Sequence, residues 1–189
     1  MAYVYKKSLL ANSGPTLIRF TIQDSETLTI GDLVSIATNG AAMLMDSASA
    51  AIAGVVHDII DNDGNSVFGS IATLGGATVS GGNTVTVDAS NVGGENISVL
   101  VDVSKFSIYS ALVTGTVGTT TSSNLPGGWI NSATTGDRVT ETSHTRTVAT
   151  GGHLKGWGVD PDDSTRILVS INESEIFDPT TGDALGIVS

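Results

Sequence analysis

The 189-residue chain has no cysteine, which removes disulfide bridges, thiolate nucleophiles and cysteine-held metals together. Charge is scarce. Only 14% of residues are Asp, Glu, Lys or Arg, and eight of these are basic against nineteen acidic. The formal net charge of −11 argues against nucleic acid as a partner, because a phosphate-binding surface needs clustered Lys and Arg. No apolar run approaches the ~18 residues of a membrane span, so no membrane partner is expected. The opening "SLLA" passes straight into "NSGPT", without the apolar core of a secretory signal. Helical periodicity is almost missing too, with "DSASAAI" and "NESEIF" as the only candidate single turns.

What is abundant is Gly (23), Ser (22) and Thr (24), together more than a third of the chain. Combined with 40% apolar residues, this is not the composition of a disordered segment. It is that of short strands punctuated by turns. The length suits one domain, large enough to bury most of its apolar surface without covalent staples.

Period-two patterning runs through most of the chain. "TLIRFTI" sets Leu17, Arg19 and Thr21 on one face and Ile18, Phe20 and Ile22 on the other, as in a half-buried strand. "ETLTIGDLVSI" continues the pattern across a Gly31-Asp32 turn signal. After Asn39-Gly40 come "AAMLM", an Ala/Ser connector and the apolar run "IAGVVHDII". Asp63-Gly64 predicts a tight hairpin, since both residues tolerate positive φ. Further strands are predicted in "SVFGSIATL", "NTVTVDA", "ISVLVDV" and "SIYSALVTG", and "KGWGVDPDDSTRILVSI" reads as a hairpin turning at Asp160 to Asp163. Residues 115–152 are loop-rich with weak strands, and the tail beyond Phe177 is polar. The expected fold is all-β: a small β-barrel or β-tulip-like sandwich over residues 16–189, with long loops and an extended N-terminal arm over residues 1–15.

Motifs for chemistry are sparse along this frame. His57, His144 and His153 are far apart and in no zinc spacing. A His within "VVHDII" is expected to be packed or to face solvent. No nucleophile elbow, phosphate loop or dinucleotide fingerprint occurs. With Gly64 at the sixth position of a calcium loop, Ile59 and Ser70 would stand where carboxylate ligands belong, so "IIDNDGN" reads as a hairpin. "VDPDDST" offers a weak cation site or, more plainly, side chains capping backbone N–H groups in a turn. Trp129 and Trp157 are flanked by Gly, which allows either an indole exposed for sugar stacking or one packed beneath a loop. The sequons at Asn96 and Asn172 carry no weight without a secretory signal. The reading is of a protein that is not an enzyme, with no cofactor and no metal.

One asymmetry remains. The first nineteen residues hold Lys6, Lys7 and Arg19 and no acid, whereas the rest carries five basic residues against nineteen acidic ones. The stretch "TLTIGDLVSIATNGAAMLM" followed by "ASAAIAGVV", with "VLVDVSKFSIYSALVTGT" and "GWGVDPDDSTRILVSINES" further on, resembles the head decoration (capsid cement) proteins of tailed bacteriophages. The likeness rests on Gly31 to Val34 and Ala48 to Val56 and spans about two-thirds of the chain, leaving Gly115 to Gly152 unmatched. It implies a non-enzymatic protein on the outside of a virion, assembled in the host cytoplasm. Its partners would be the major capsid protein and its own copies in a homotrimer. A host-glycan-binding tail-fibre or spike module is the alternative.

On this reading residues 1–15 would dock on a neighbouring subunit or on the shell, reaching up to ~50 Å when extended. Tyr3, Tyr5, Leu9 and Leu10 would supply buried contacts. Lys6 and Lys7 would meet acidic groups. Gly14-Pro15 would be the hinge. The other possibility is that Tyr3 to Leu10 simply forms the first strand of the same domain.

Overall fold

The computed structural model describes residues 3–10, 13–45, 52–67, 72–74, 77–81, 83–87, 97–114, 128–132, 139–145 and 154–171. Every regular element among them is a strand. In chain order these are β1 (Tyr3–Ser8), β2 (Leu17–Thr21), β3 (Thr27–Thr29), β4 (Leu33–Ile36), β5 (Ala42–Leu44), β6 (Gly54–Asp61), β7 (Ala72–Leu74) and β8 (Ala77–Ser80). There follow β9 (Thr84–Val87), β10 (Ile97–Asp102), β11 (Ser107–Thr114), β12 (Gly128–Ser132), β13 (Val139–Thr145), β14 (Leu154–Asp160) and β15 (Asp163–Ile171). The all-β expectation holds.

Of the two expected forms, barrel or sandwich, the strands are consistent with the sandwich and close no barrel. The strands divide among three sheets, ordered β1-β11-β13-β12-β14-β15, β2-β10-β6-β4-β5 and β3-β9-β8-β7, with β11 also pairing β15. The reason lies in adjacent apolar pairs. In β4, Leu33 belongs to one hydrophobic cluster and Val34 to another; in β6, Val55 and Val56 divide the same way. Successive residues of a strand face opposite sides, so the five-stranded sheet is buried on both faces along β4 and the first half of β6, while β2 keeps Leu17, Arg19 and Thr21 exposed. The first cluster joins it to Leu28, Val79 and Val85 of the four-stranded sheet. The second joins it to Tyr3, Tyr109, Ile167 and Val169 of the six-stranded one.

Two turns anchor this stacking. At Thr29 to Asp32 the Asp32 carboxylate accepts from the Thr29 N–H at 2.7 Å, and Gly31 takes φ 96°, which glycine adopts without a Cβ penalty. At the other, Asp61 accepts from the Asn65 N–H at 2.8 Å and Gly64 takes φ 84°, as the predicted hairpin requires. The Asp160 to Asp163 turn is also as read. Asp160 accepts from the Asp162 N–H at 2.9 Å and Asp163 from the Thr165 N–H at 2.9 Å, the capping role given to "VDPDDST".

Gly54 is fixed by a different constraint. A Cβ there would stand 2.3 Å from the Asp102 carbonyl oxygen and 2.5 Å from Val101 Cγ1, so β6 approaches β10 only because the side chain is missing. Gly54→Ala is expected to cost about 1–3 kcal/mol through overpacking. Gly14→Ala, where nothing lies within 4 Å, should be neutral or slightly stabilising. Urea denaturation of the two variants checks this, and equal midpoints would contradict it.

Candidate interaction site at the first strand

Residues 3–8 are a strand of this chain's own sheet, which corrects the expectation that residues 1–15 leave the domain as an arm. β1 runs antiparallel to β11, with Tyr3 opposite Ala111, Tyr5 opposite Tyr109 and Ser8 opposite Ser107. Its Tyr3 N–H donates to the Gly31 carbonyl at 3.0 Å, so the Gly-Asp turn that the sequence marked also receives the start of the strand. The cause is apolar. Tyr3 is buried in the second cluster, Tyr5 packs against it, and the Tyr5 and Tyr109 rings meet edge-on at 6.2 Å.

A β-bulge separates the two lysines. The register slips between Tyr5 and Lys7, which leaves Lys6 as the extra residue, and a bulge re-aims the side chain it carries. Lys6 Nζ lies 3.1 Å from both Asp160 and Asp162 of the β14–β15 hairpin. Asp160 also accepts from the Ser110 hydroxyl, and Arg166 Nε donates to that hydroxyl at 3.0 Å. Lys7 points to solvent.

Burial pushes the Asp160 carboxyl upward. The hydrogen bonds from Ser110 and the Asp162 N–H, with the Lys6 ammonium, outweigh that and hold it below the usual carboxylate range. Lys6 is raised above its ordinary 10.5, chiefly by Asp162 and then Asp160. A depressed carboxylate stabilises above its unfolded pKa and loses that contribution as pH falls through the folded value. A raised ammonium stabilises below its unfolded pKa and loses its share as pH rises through the folded one. The pair therefore stays whole from about pH 4 to about pH 10. In a carboxyl ¹³C titration, Lys6→Gln is expected to move the Asp160 midpoint upward, and an unmoved midpoint would mean that the pair is not made in solution.

Beneath β1 lies a cavity of ≈ 220 Å³ lined by Tyr3, Tyr5, Ile30, Val55, His57 and Tyr109, among others. Two of its polar groups are engaged with each other, since the Tyr109 hydroxyl donates to the fully buried Asp102. Burial first, and the Asp102 carboxylate second, push the Tyr109 hydroxyl far up, so it remains a donor. His57 is the bulged residue of β6, between Val56 opposite Val101 and Asp58 opposite Leu100, and faces solvent. Among the described residues no group of three His, Asp or Glu side chains is placed to hold a metal ion.

Of the six residues that sequence reasoning assigned to a partner, Tyr3, Tyr5 and Lys6 are used inside the chain. Lys7, Leu9 and Leu10 are exposed. Two residues with no sequence signal join them, Lys105 and Phe106 in the turn between β10 and β11, where the Leu9 N–H donates to the Phe106 carbonyl at 2.7 Å. Trp157 is half-buried, its indole N–H donating to Ser170 at 2.9 Å and its ring lying 5.4 Å from Lys155 Nζ. The Trp129 side chain, the His144 side chain, His153, Asn96 and Asn172 lie outside the described residues. No family model, curated protein or solved structure matches the chain.

Proposed function

We propose that this chain is a non-enzymatic attachment protein that binds the outer surface of a viral shell, with the major capsid protein as partner and a homotrimer as the working form. The observation that carries the reading is the segment leaving β1. Leu9 and Leu10 are 47% and 48% exposed, directly after a strand pinned to the body by Tyr3 and Lys6. The acid-free N-terminal stretch thus keeps its apolar end outside while its beginning is held in the core. In support, Asp102, Tyr109 and Asp160 are all engaged in bonds that hold strands together.

Attachment of this kind stabilises by linkage. A ligand that binds only the closed shell favours it by RT ln(1 + [L]/Kd), about 4 kcal/mol per site at a thousandfold excess over Kd. Three copies joined by symmetry add effective concentration to contacts that are individually modest. Co-sedimentation of the purified chain with shells of its virus is the test. Saturable binding at fixed stoichiometry is expected, and a chain that stays in the supernatant at micromolar concentration overturns the reading.

A further inference from the structure

We infer that the end of the molecule where the β10–β11 turn meets the residues after β1 is a docking surface for an acidic protein surface with an apolar depression. This rests on the attachment reading and gives the attachment its contact residues and its partner's chemistry.

Four large apolar side chains are exposed among the described residues: Leu9, Leu10, Leu17 at 39% and Phe106 at 36%. Scattered exposed apolar residues are ordinary; a contiguous set is the mark of an interaction site. Backbone pairing brings the segments that carry them to one turn. Leu9 is hydrogen-bonded to Phe106 through the backbone. Leu17 stands opposite Asp102 in the β2–β10 pairing, and the Val103 N–H donates to the Thr16 carbonyl at 2.9 Å.

The surface is also pre-organised. The Phe106 N–H donates to the Ser104 hydroxyl at 3.2 Å, and the Ser107 N–H closes the turn on the Ser104 carbonyl at 3.2 Å. The Leu10 carbonyl accepts from both the N–H and the hydroxyl of Ser13. Little ordering is left for a partner to impose, which is where affinity is otherwise lost.

Charge selects the occupant. On a chain of net charge −11, residues 7–19 and 103–114 contain no Asp or Glu; Lys7 and Lys105 are the cations here, since Arg19 reaches away to the Asp61 carbonyl at 3.3 Å. Lys105 Nζ lies 5.4 Å from the centre of the Phe106 ring, so a cation borders the aromatic. A symmetric contact between two copies would set Lys7 and Lys105 against their own kind, which disfavours self-pairing through this face. An acidic rim around an apolar hollow is its complement.

The test uses the full chain and shells assembled from the major capsid protein. Leu10→Ser with Phe106→Ser, whose parent side chains are exposed, is expected to weaken co-sedimentation at least about thirtyfold. Lys105→Glu should weaken it about tenfold and flatten its dependence on salt. Wild-type binding left intact by the double variant, with an unchanged melting curve, overturns this surface while the attachment reading survives. No binding by the wild type sinks the attachment reading itself. Sedimentation velocity of the wild type and the double variant alone is the third measurement. If the variant turns an oligomer into a monomer, the occupant is a second copy and the acidic-partner inference is overturned.

Discussion

Asp102→Ala is expected to destabilise the domain by about 3–5 kcal/mol, the largest effect of any single polar replacement in the described residues. The side chain has no exposed surface and joins two sheets. Its Oδ1 accepts from the Thr16 N–H at 3.0 Å, just before β2, and from the Ser104 N–H at 3.0 Å, just after β10. Its Oδ2 accepts from the Tyr109 hydroxyl of β11, in the other sheet. Alanine would strand two buried donors, the Ser104 N–H and the Tyr109 hydroxyl, and a part-buried one at Thr16, and an unsatisfied buried donor costs about 1–3 kcal/mol before relaxation. For a chain of this size the melting temperature should fall by roughly 10 °C. Tyr109→Phe removes only one donor and leaves the two backbone bonds, so it should cost about 1–3 kcal/mol. A double-mutant cycle with Asp102→Asn isolates the coupling between the two side chains. If Asp102→Ala melts within 2 °C of the parent, about 0.5–1 kcal/mol at this size, the inter-sheet tie is not the feature that holds the layers together.

Asp102 also illustrates what a sequence can and cannot disclose. "ISVLVDV" reads as a strand, and it is one, but nothing in the period-two pattern distinguishes an Asp that ends a strand in solvent from one aimed into a core. The all-β class and several turns were legible because each rests on local chemistry. Gly31 and Gly64 need positive φ, and the aspartates at 32, 61, 160 and 163 accept from nearby N–H groups.

The layering was not legible in the same way. "DLV" and "GVV" place apolar residues side by side, which is ambiguous between an irregular strand and a sheet buried on both faces. Pairing partners far along the chain decide it. Bulges were hidden for a related reason. His57 and Lys6 are displaced because Val101 and Ile108, some 44 and 102 positions away, take the register that they do, and no local signal announces an extra residue. The N-terminal segment therefore divides at a point that charge counting could not find. Its tyrosines and first lysine belong to the body, and its second lysine and leucines to the surface. Phe106 and Lys105 join that surface only through the pairing of β1 with β11, so they carried no mark in the sequence.

Tyr3→Ala is expected to release β1 and lower stability by about 3–5 kcal/mol, the range for removing a large buried aromatic. The ring is 2% exposed among Leu33, Val55, Ala111 and Val169, and the N–H of the same residue is tied to Gly31. The cost has a ceiling. Once the cavity is more expensive than the docking of the whole strand, β1 detaches and further loss stops, because β1 pairs with β11 alone at the edge of its sheet. Hydrogen exchange separates the two regimes. Detachment would expose the amides of residues 3–8 and the facing edge of β11 while β6 and β10 keep their protection. A filled or collapsed cavity would leave all four strands protected at a lower melting temperature. Lys6 then gives a second handle. If β1 is released in Tyr3→Ala, the Asp160 midpoint rises toward its ordinary value as it does in Lys6→Gln, since the ammonium leaves with the strand. Detachment also predicts that Leu9 and Leu10 lose their fixed place beside Phe106, so Tyr3→Ala should weaken the proposed shell binding although Tyr3 itself is buried. Full protection of β1, with undiminished binding, would show that the strand's place is set by its backbone pairing with β11 and not by the buried ring.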